Sequence, residues 1–273
     1  MAASGKAQAG GRRAIFITGA ASGIGLATAK RFAAHGWFVG LADIDAKGLA
    51  AAIEEIGSEN GVTCSLDVRH RSGWKRELAA FAKATEGRLD VLLNNAGVAK
   101  GGYLETQTPD EVDLQVDVNL KGVLNGCQAA FELLAATPGA VVVNVASVAG
   151  LVAPPRLSVY AATKFAVRGL SEALESEFAR VGVGVRCILP WFIETSLLDK
   201  ARFSDNEDLR VSLREQKMAV YPADIVADAI WDAVHGRPRL HHLVGAEARR
   251  ISFLYRLVPK FVRRRLARQV EAL

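Results

Sequence analysis

Short apolar runs alternate with helix-like stretches along most of the chain. The first run, "AIFITG" from Ala14, is almost continuously apolar, which is typical of a parallel strand buried on both faces. A helical pattern follows from about Gly25 to His35 and ends at Gly36. The same order repeats through six further strand-like runs: "WFVGLAD", "VTCSLDV", "LDVLLNNAG", "AVVVNVAS", "GVGVRCILP" and "HHLVG". This alternation predicts a single α/β domain, a doubly wound parallel sheet of about seven strands with helices on both faces.

The helix after the fourth strand has a clear start. Thr108 is the predicted N-cap, Pro109 occupies the first turn, and Glu111 completes a capping box. The helical pattern then continues to about Thr137, so we expect one long helix.

The alternation covers residues 13–245, and the two ends of the chain differ from it. Residues 1–12 carry no strand or helix pattern and are predicted to be a flexible N-terminal segment. Within the domain, the irregular stretch 191–220 is predicted to be a lid. Residues 246–273 form a basic amphipathic C-terminal extension.

Charge changes this picture only at the C-terminus. The net charge is +5, but Glu247 to Leu273 contain eight basic and two acidic residues, a local excess of +6. The rest of the chain is therefore close to neutral, which does not indicate a nucleic-acid-binding surface over the fold. Half of the 273 residues are apolar and 23% are charged, as in a globular protein.

Cysteine usage and targeting signals point to a reducing compartment. Cys64, Cys127 and Cys187 are scattered without ligand spacing, so neither a disulfide framework nor a metal site is expected. No apolar signal segment precedes the first strand, and no run is long enough to span a membrane. We expect a cytoplasmic protein.

The C-terminal extension has two interpretations. Ile251, Leu254, Tyr255 and Val258 follow a helical spacing, and Pro259 should break the helix there. A basic amphipathic helix can lie on an anionic membrane surface. It can equally dock on a neighbouring subunit or on the lid.

The first two strands end in residues suited to a dinucleotide. Gly19, Gly23 and Gly25 form a turn between strand and helix, where backbone can approach a pyrophosphate at a helix N-terminus. Asp43 ends the second strand and would accept hydrogen bonds from an adenosine ribose. Its carboxylate would repel a 2′-phosphate, which favours NAD over NADP. Asp67 follows the third strand and is placed to contact the adenine edge.

The later strands bring polar side chains to the same edge of the sheet. The fourth strand ends in "NNAG", Asn94 to Gly97, and the fifth ends at Ser147. The next helix carries Tyr160 and Lys164, which are four residues apart and therefore share a face. A nearby ammonium favours the phenolate, so Lys164 is expected to lower the pKa of Tyr160.

Together these motifs resemble the short-chain dehydrogenase/reductase family. The match rests on "TGAASGIG", Asp43, "NNAG", Asn119 in "DVNLKG", Ser147, "YAATK" and "PWFIET", in order between about residues 13 and 245. The resemblance implies a Rossmann-like fold, a nicotinamide cofactor, and a homodimer or homotetramer.

The resemblance also implies roles for individual residues. Tyr160 is the general acid/base, Lys164 holds the nicotinamide ribose, Ser147 binds the substrate oxygen, and Asn119 holds a water that relays protons. The implied cofactor site consists of Gly19, Ser22, Gly23, Ile24, Gly25, Asp43, Asp67, Val68, Asn95, Ala96, Gly97, Tyr160, Lys164, Pro190, Ile193 and Thr195. Trp191 departs from the family, which commonly has glycine after this proline; the indole should narrow the nicotinamide end or form a wall of the substrate pocket.

Three segments should surround the substrate, and their side chains are mostly apolar. They contribute Val98, Tyr103, Leu104, Val148, Leu151, Val152, Pro154, Trp191, Phe192, Leu197, Leu198 and Phe203. Such a pocket favours an apolar secondary alcohol, ketone or aldehyde of lipid, steroid, retinoid or aromatic type. The alternatives are an NADP-dependent carbonyl reductase, an isomerase or dehydratase on the same fold, and a non-catalytic NAD(H)-binding sensor or scaffold.

Overall fold

A seven-stranded parallel sheet forms the centre of the protein. The computed structural model describes residues 9–200, 209–215 and 218–271. The strands are β1 (Ala14–Thr18), β2 (Phe38–Asp43), β3 (Gly61–Ser65), β4 (Val91–Asn94), β5 (Val141–Val145), β6 (Gly184–Pro190) and β7 (His241–Val244). They are ordered β3-β2-β1-β4-β5-β6-β7, and every neighbouring pair is parallel. The predicted doubly wound sheet is confirmed.

Helices cover both faces of this sheet. They are α1 (Gly23–Ala34), α2 (Ala46–Ile56), α3 (Arg71–Ala84), α4 (Pro109–Val116), α5 (Gly122–Ala129), α6 (Phe131–Ala136), α7 (Ser158–Ala179), α8 (Ser196–Lys200), α9 (Leu209–Glu215), α10 (Asp224–His235), α11 (Ala246–Leu257) and α12 (Pro259–Glu271). Because strand side chains alternate between faces, β1 sends Phe16 to the core that contains Trp74, and Ile15 and Ile17 to the core that contains Phe32.

The reversal of strand order positions the site. β1 pairs with β2 on one side and with β4 on the other. In such sheets a crevice opens at the carboxyl ends of the strands where the order reverses. The loops after β1, β2, β4, β5 and β6 meet there.

The expectation of one long helix from Thr108 to Thr137 is wrong. The capping box at Thr108 and Glu111 is present, but α4 ends at Val116. A π-helical turn, Asp117–Lys121, separates it from α5, and a further break separates α5 from α6. A π turn admits one extra residue per turn and often marks a functional site.

Part of the N-terminal segment packs on the domain, and the C-terminal helix breaks where the sequence predicts. Of the predicted flexible segment 1–12, residues 1–8 lie outside the described residues. Ala9 is buried and its amide donates to Ala84, while Arg12 bonds Asn60 and Glu59. At the other end, the predicted break at Pro259 is confirmed, since Pro259 begins α12.

Two further observations concern membrane and metal chemistry. Within residues 9–200, 209–215 and 218–271, no helix has the length and apolar character needed to cross a bilayer. In the same ranges, no three His, Cys, Asp or Glu side chains are grouped closely enough to hold a metal ion. Cys64, Cys127 and Cys187 are free thiols in the core.

Candidate active site

One cavity of about 1180 Å³ runs along the carboxyl ends of the strands. It extends from the glycine turn after β1, past β2 and β4, to the end of β6 and the C-terminal helices. All the predicted site residues line it except Gly25 and Asn119. The sequence therefore located the cavity, and these two residues have other contacts.

The glycine turn leaves no room for side chains. Gly19 has a φ of +69°, and a Cβ there would lie 2.8 Å from the Asn95 amide nitrogen. Gly23 has a φ of +54°, and its Cβ would lie 2.9 Å from a Thr195 methyl group. Both positions therefore favour glycine on backbone conformation and on space.

Gly25 serves packing rather than the cavity wall. A Cβ on this residue would lie 2.0 Å from the Gly19 carbonyl oxygen. The missing side chain lets the first turn of α1 pack directly on the glycine turn. The cofactor contact of Gly25 stays a prediction, and the structure shows the close approach of backbone that the glycine permits.

The N-terminus of α1 offers amide groups to an anion. Ser22 is the N-cap residue, but its side chain makes no capping hydrogen bond. Its hydroxyl instead lies 3.2 Å from the Ser196 hydroxyl. Ser22, Gly23 and Ile24 all line the cavity. An uncapped helix N-terminus with close backbone approach is the usual binding site for a pyrophosphate.

Asp43, at the end of β2, binds the glycine turn through its carboxylate. One carboxylate oxygen accepts from the Ala21 amide at 3.1 Å, and the other accepts from the Asp45 amide at 3.1 Å. Ile44, the next residue, is 72% exposed and also lines the cavity. The carboxylate is thus held in place at the end of the cavity that begins with the glycine turn.

Asp67 lines the cavity, but its carboxylate already has a strong partner. The Arg69 guanidinium donates to both oxygens at distances of 2.6 to 3.0 Å. These hydrogen bonds lower the pKa of Asp67, against the opposing effect of burial. If the Asp67 carboxylate contacted an adenine edge, it would still bind the Arg69 guanidinium as well.

Thr18 is a functional residue that the sequence analysis missed. Its hydroxyl accepts from the amides of Asn95 and Ala96 at 3.0 and 3.1 Å and donates to the Leu93 carbonyl at 3.3 Å. The Asn95 side chain donates in return to the Thr18 carbonyl at 2.9 Å. The hydroxyl therefore fixes the loop after β4 beside the loop after β1. A polar residue at the end of an apolar strand was the available signal.

Ser147, Tyr160 and Lys164 converge at the other end of the cavity. Ser147 follows β5, while Tyr160 and Lys164 lie on one face of α7. The Lys164 nitrogen lies 5.6 Å from the centre of the Tyr160 ring and donates to the Val145 carbonyl at 2.9 Å. A phenol, a hydroxyl and an ammonium therefore share one small volume, as the sequence predicted.

The expectation that Lys164 lowers the pKa of Tyr160 does not hold in this structure. Burial raises the pKa of Tyr160, and only the hydrogen bond with Ser147 opposes it. Burial lowers the pKa of Lys164 to about 8. Desolvation disfavours the charged form of each group, and it is the largest cause of both shifts.

Asn119 lies inside the π turn, and both polar atoms of its side chain have hydrogen-bond partners. It is completely buried; its oxygen accepts from the Val98 amide at 2.8 Å. Its nitrogen donates to the Val98 carbonyl at 2.9 Å and to the Thr163 hydroxyl at 3.2 Å. The predicted water relay through Asn119 remains a prediction. What the geometry shows is a side chain that holds the loop after β4 against α7.

We expect Asn119→Ala to lower the free energy of unfolding by about 2 kcal/mol, because the buried amide and carbonyl of Val98 lose their partner. Urea unfolding of both proteins measures the difference. Lys121→Ala, an exposed change in the same π turn, is the control and should leave the free energy of unfolding nearly unchanged. Equal losses for the two variants would contradict this role of Asn119.

The substrate end of the cavity is apolar. Of the predicted pocket residues, those that line it are Val98, Val148, Val152, Pro154, Trp191, Phe192, Leu197 and Leu198. Tyr103, Leu104 and Leu151 do not line it, and Phe203 lies outside the described residues. Tyr103 and Leu104 are instead exposed, in a short turn before α4.

Trp191 forms part of this wall and ties two segments together. Its indole nitrogen donates to the Ala219 carbonyl at 3.1 Å, and its ring packs edge-to-face on Phe192 at 5.3 Å. The bulky residue after Pro190 thus links the end of β6 to the chain that returns from the lid. The rings of Trp191 and Phe192 make the cavity lining apolar at the end of β6.

The sequence analysis also missed lining residues from distant segments. Ile251 of α11 and Leu266 of α12 close the cavity, and Leu213 and Met218 contribute from the lid. Arg156, which is buried, lies over the Tyr103 ring at 5.6 Å. No local motif marks such residues, because only the packing of the chain end on the domain brings them there.

Comparisons with known proteins identify the family of this chain. Residues 13–206 match the family model described as short chain dehydrogenase. The oxidoreductase UcpA of Escherichia coli is 36% identical over 217 residues, 78% of this chain and 82% of UcpA. A D-threitol dehydrogenase of Mycolicibacterium smegmatis is 34% identical over 216 residues, 79% of this chain and 83% of that protein.

Among solved structures, a short chain dehydrogenase/reductase from Burkholderia phymatum in complex with NAD superimposes with a TM-score of 0.81. It is 28% identical, and the alignment covers 92% of this chain and 95% of that one. The fold, the glycine turn and the Ser–Tyr–Lys constellation thus occur in a chain whose sequence matches one family over most of its length. The protein belongs to the short-chain dehydrogenase/reductase family of oxidoreductases.

Proposed function

We propose that this protein transfers a hydride between NAD(H) and the alcohol or carbonyl group of an apolar substrate, with Tyr160 as the general acid/base. The observation that carries the proposal is the single cavity that holds Asp43 and the glycine turn at one end and Ser147, Tyr160 and Lys164 at the other. The substrate class is a secondary alcohol and its ketone, or an aldehyde.

The residues of the cavity fit a nicotinamide dinucleotide. The glycine turn, where a Cβ would clash, leaves backbone amides open to a pyrophosphate, and Asp43 lies where a ribose would follow. Thr195 and Ile193 flank the far end, beyond Pro190. When bound, the dinucleotide would supply the hydride donor or acceptor.

The protein's own part is to hold the substrate oxygen and move its proton. The Tyr160 phenol would donate a proton to the oxygen in reduction and take one from it in oxidation. The Ser147 hydroxyl accepts from the Ala149 amide at 3.1 Å, and its own proton would be donated to the substrate oxygen. The Lys164 nitrogen lies 5.6 Å from the centre of the Tyr160 ring and would hold the nicotinamide ribose, the role that the family resemblance implies.

The apolar wall of the cavity supports a hydrophobic substrate. Val148, Val152, Trp191 and Phe192 lie at the end that contains Tyr160. A polyol such as the one named for the Mycolicibacterium relative would need several polar anchors. We infer a lipid, steroid, retinoid or aromatic substrate.

Asp43 supports NAD over NADP. Its carboxylate would accept hydrogen bonds from the two hydroxyls of an adenosine ribose and repel a 2′-phosphate. The neighbouring Ile44 offers no positive charge, and the Arg69 guanidinium is held by Asp67. The NAD complex of the Burkholderia relative agrees with this choice.

We expect alcohol oxidation and carbonyl reduction to respond oppositely to pH. Because burial raises the pKa of Tyr160, the phenol stays protonated near neutrality and is ready to act as an acid. The kcat/KM for oxidation should rise steadily with pH through the alkaline range, because the base form of Tyr160 is still the minor form there. The kcat/KM for reduction should fall above about pH 8, where Lys164 loses its proton. Initial rates in both directions test this, and a flat oxidation profile would contradict the assignment of Tyr160.

The proposal is tested by following the absorbance of reduced nicotinamide. NAD and NADP are supplied separately with a panel of apolar secondary alcohols and with matched polyols. We expect turnover with NAD and the apolar alcohols. A protein that binds NADH but turns over none of these substrates would favour the sensor or scaffold alternative, and turnover of polyols alone would reject the apolar substrate class.

A further inference from the structure

The C-terminal helices α11 and α12 expose an unusual concentration of apolar side chains. Within the described residues, five of the ten large hydrophobic residues that are exposed lie in a stretch of nine. They are Phe253 (64% exposed), Leu254 (40%), Leu257 (61%), Val258 (43%) and Phe261 (59%). Single exposed apolar residues are ordinary, but a cluster of this kind marks an interaction surface. We call these five residues the apolar corner, since they surround the junction of α11 and α12.

Positive charge surrounds the apolar corner. Between residues 246 and 267, seven basic residues are exposed: Arg249, Arg250, Arg256, Lys260, Arg263, Arg264 and Arg265. The one acidic residue in that range, Glu247, is half-buried, and its carboxylate accepts from the Tyr221 hydroxyl at 2.6 Å. The exposed charge of this region is therefore strongly positive, since Glu247 is the one acidic residue and its carboxylate is held by Tyr221.

The two helices are packed on the domain by their other side. Ala248 and Val262 are buried, and Ile251 and Leu266 form part of the cavity wall. The corner is therefore the outer surface of the structure that closes the cavity. The apolar corner is therefore exposed even though α11 and α12 are packed on the domain.

The apolar corner could contact a second copy of this chain or a membrane. The charge around it distinguishes between these two partners. In a two-fold interface the same patch meets itself, so the seven cations of one copy would face those of the other. An anionic bilayer instead offers headgroups to the cations and an acyl boundary to Phe253, Leu257 and Phe261. The combination of apolar rings and a strongly positive rim fits a lipid surface and disfavours a second copy.

We propose that the apolar corner and its basic rim dock this protein on an anionic membrane surface, with the cavity closure facing the bilayer. Because Ile251 and Leu266 line the cavity from these same two helices, an apolar molecule dissolved in the membrane would enter the cavity that also contains Tyr160. This inference goes beyond the proposed reaction, and its test needs no substrate.

The test is co-sedimentation of the full chain with phosphatidylcholine vesicles, prepared with and without phosphatidylglycerol. Two double variants probe the two parts of the surface: Phe253→Ser with Phe261→Ser, and Arg263→Gln with Arg264→Gln. Lys75→Gln with Lys83→Gln removes the same charge from exposed positions on α3 and is the matched control. Each basic residue near an anionic surface contributes a factor of about five, so the arginine variant should bind about 25-fold more weakly.

The proposal expects binding only with phosphatidylglycerol, weakened by both variants and unchanged in the control. Absence of binding, equal binding to vesicles without phosphatidylglycerol, or equal losses in the control would overturn it. Sedimentation velocity without lipid completes the test. An oligomer that dissociates in the Phe253→Ser, Phe261→Ser variant would show that a second copy covers the corner and would also overturn the proposal.

Discussion

Tyr160→Phe should lower kcat/KM by about 10²- to 10⁴-fold, because the substitution removes the group that carries the proton. The phenylalanine ring fills the same space, so the packing on Lys164 at 5.6 Å is retained. Binding of NADH, followed by the fluorescence of the reduced nicotinamide, should change by less than about threefold. The loss therefore appears in turnover and not in affinity.

Tyr103→Phe is the matched control for this prediction. Tyr103 is 38% exposed, lies outside the cavity lining, and contacts Arg156 through its ring, which the variant keeps. Its activity should equal that of the wild type. Turnover that survives in Tyr160→Phe would show that another group or a water carries the proton, and the assigned role of Tyr160 would be wrong.

Asp43→Ser should change the preference between NAD and NADP by about 10²- to 10³-fold. The carboxylate would lose charge-assisted hydrogen bonds to a ribose, which contribute a factor of about 10 to 100. Removing its charge also relieves repulsion of a 2′-phosphate, so NADP should bind better in absolute terms. The measurement is the ratio of kcat/KM for the two cofactors with one substrate.

Using the ratio separates this effect from damage to the turn. Asp43 also accepts from the Ala21 amide, so its loss loosens the glycine turn for both cofactors alike. That shared loss cancels in the ratio. Asp110→Ser, an exposed change at the start of α4, should leave the ratio unchanged. An unchanged ratio in Asp43→Ser would place cofactor selection elsewhere, with Arg69 as the next residue to test.

The sheet and most of the site could be predicted because their signals are local. A strand buried on both faces must be apolar throughout, and "AIFITG" therefore predicts β1 without further information. The residues at the carboxyl ends of such strands must meet, which brought Asp43, Ser147 and Tyr160 to one cavity. The position of Lys164 followed from helical spacing alone.

What could not be predicted depends on long-range contacts. The Asn119 side chain, inside the π turn, binds the backbone of Val98, twenty-one positions earlier in the chain, and no local pattern reveals this contact. The raised pKa of Tyr160 follows from burial, which spacing does not reveal. The closure of the cavity by Ile251 and Leu266 requires the C-terminal helices to fold back over the domain. The C-terminal extension, for which docking on the lid was one of the predicted alternatives, contributes to the same cavity wall as Leu213 and Met218.

The most direct test of hydride transfer follows the hydrogen itself. NADH that carries deuterium at the transferable position of the nicotinamide ring is incubated with the protein and an apolar ketone, and the alcohol product is examined by mass spectrometry. The account predicts one deuterium on the carbinol carbon of the product. The Tyr160→Phe variant should transfer deuterium only at its low residual rate. Product formed without deuterium, or an isomerised product with the NADH unconsumed, would contradict the account.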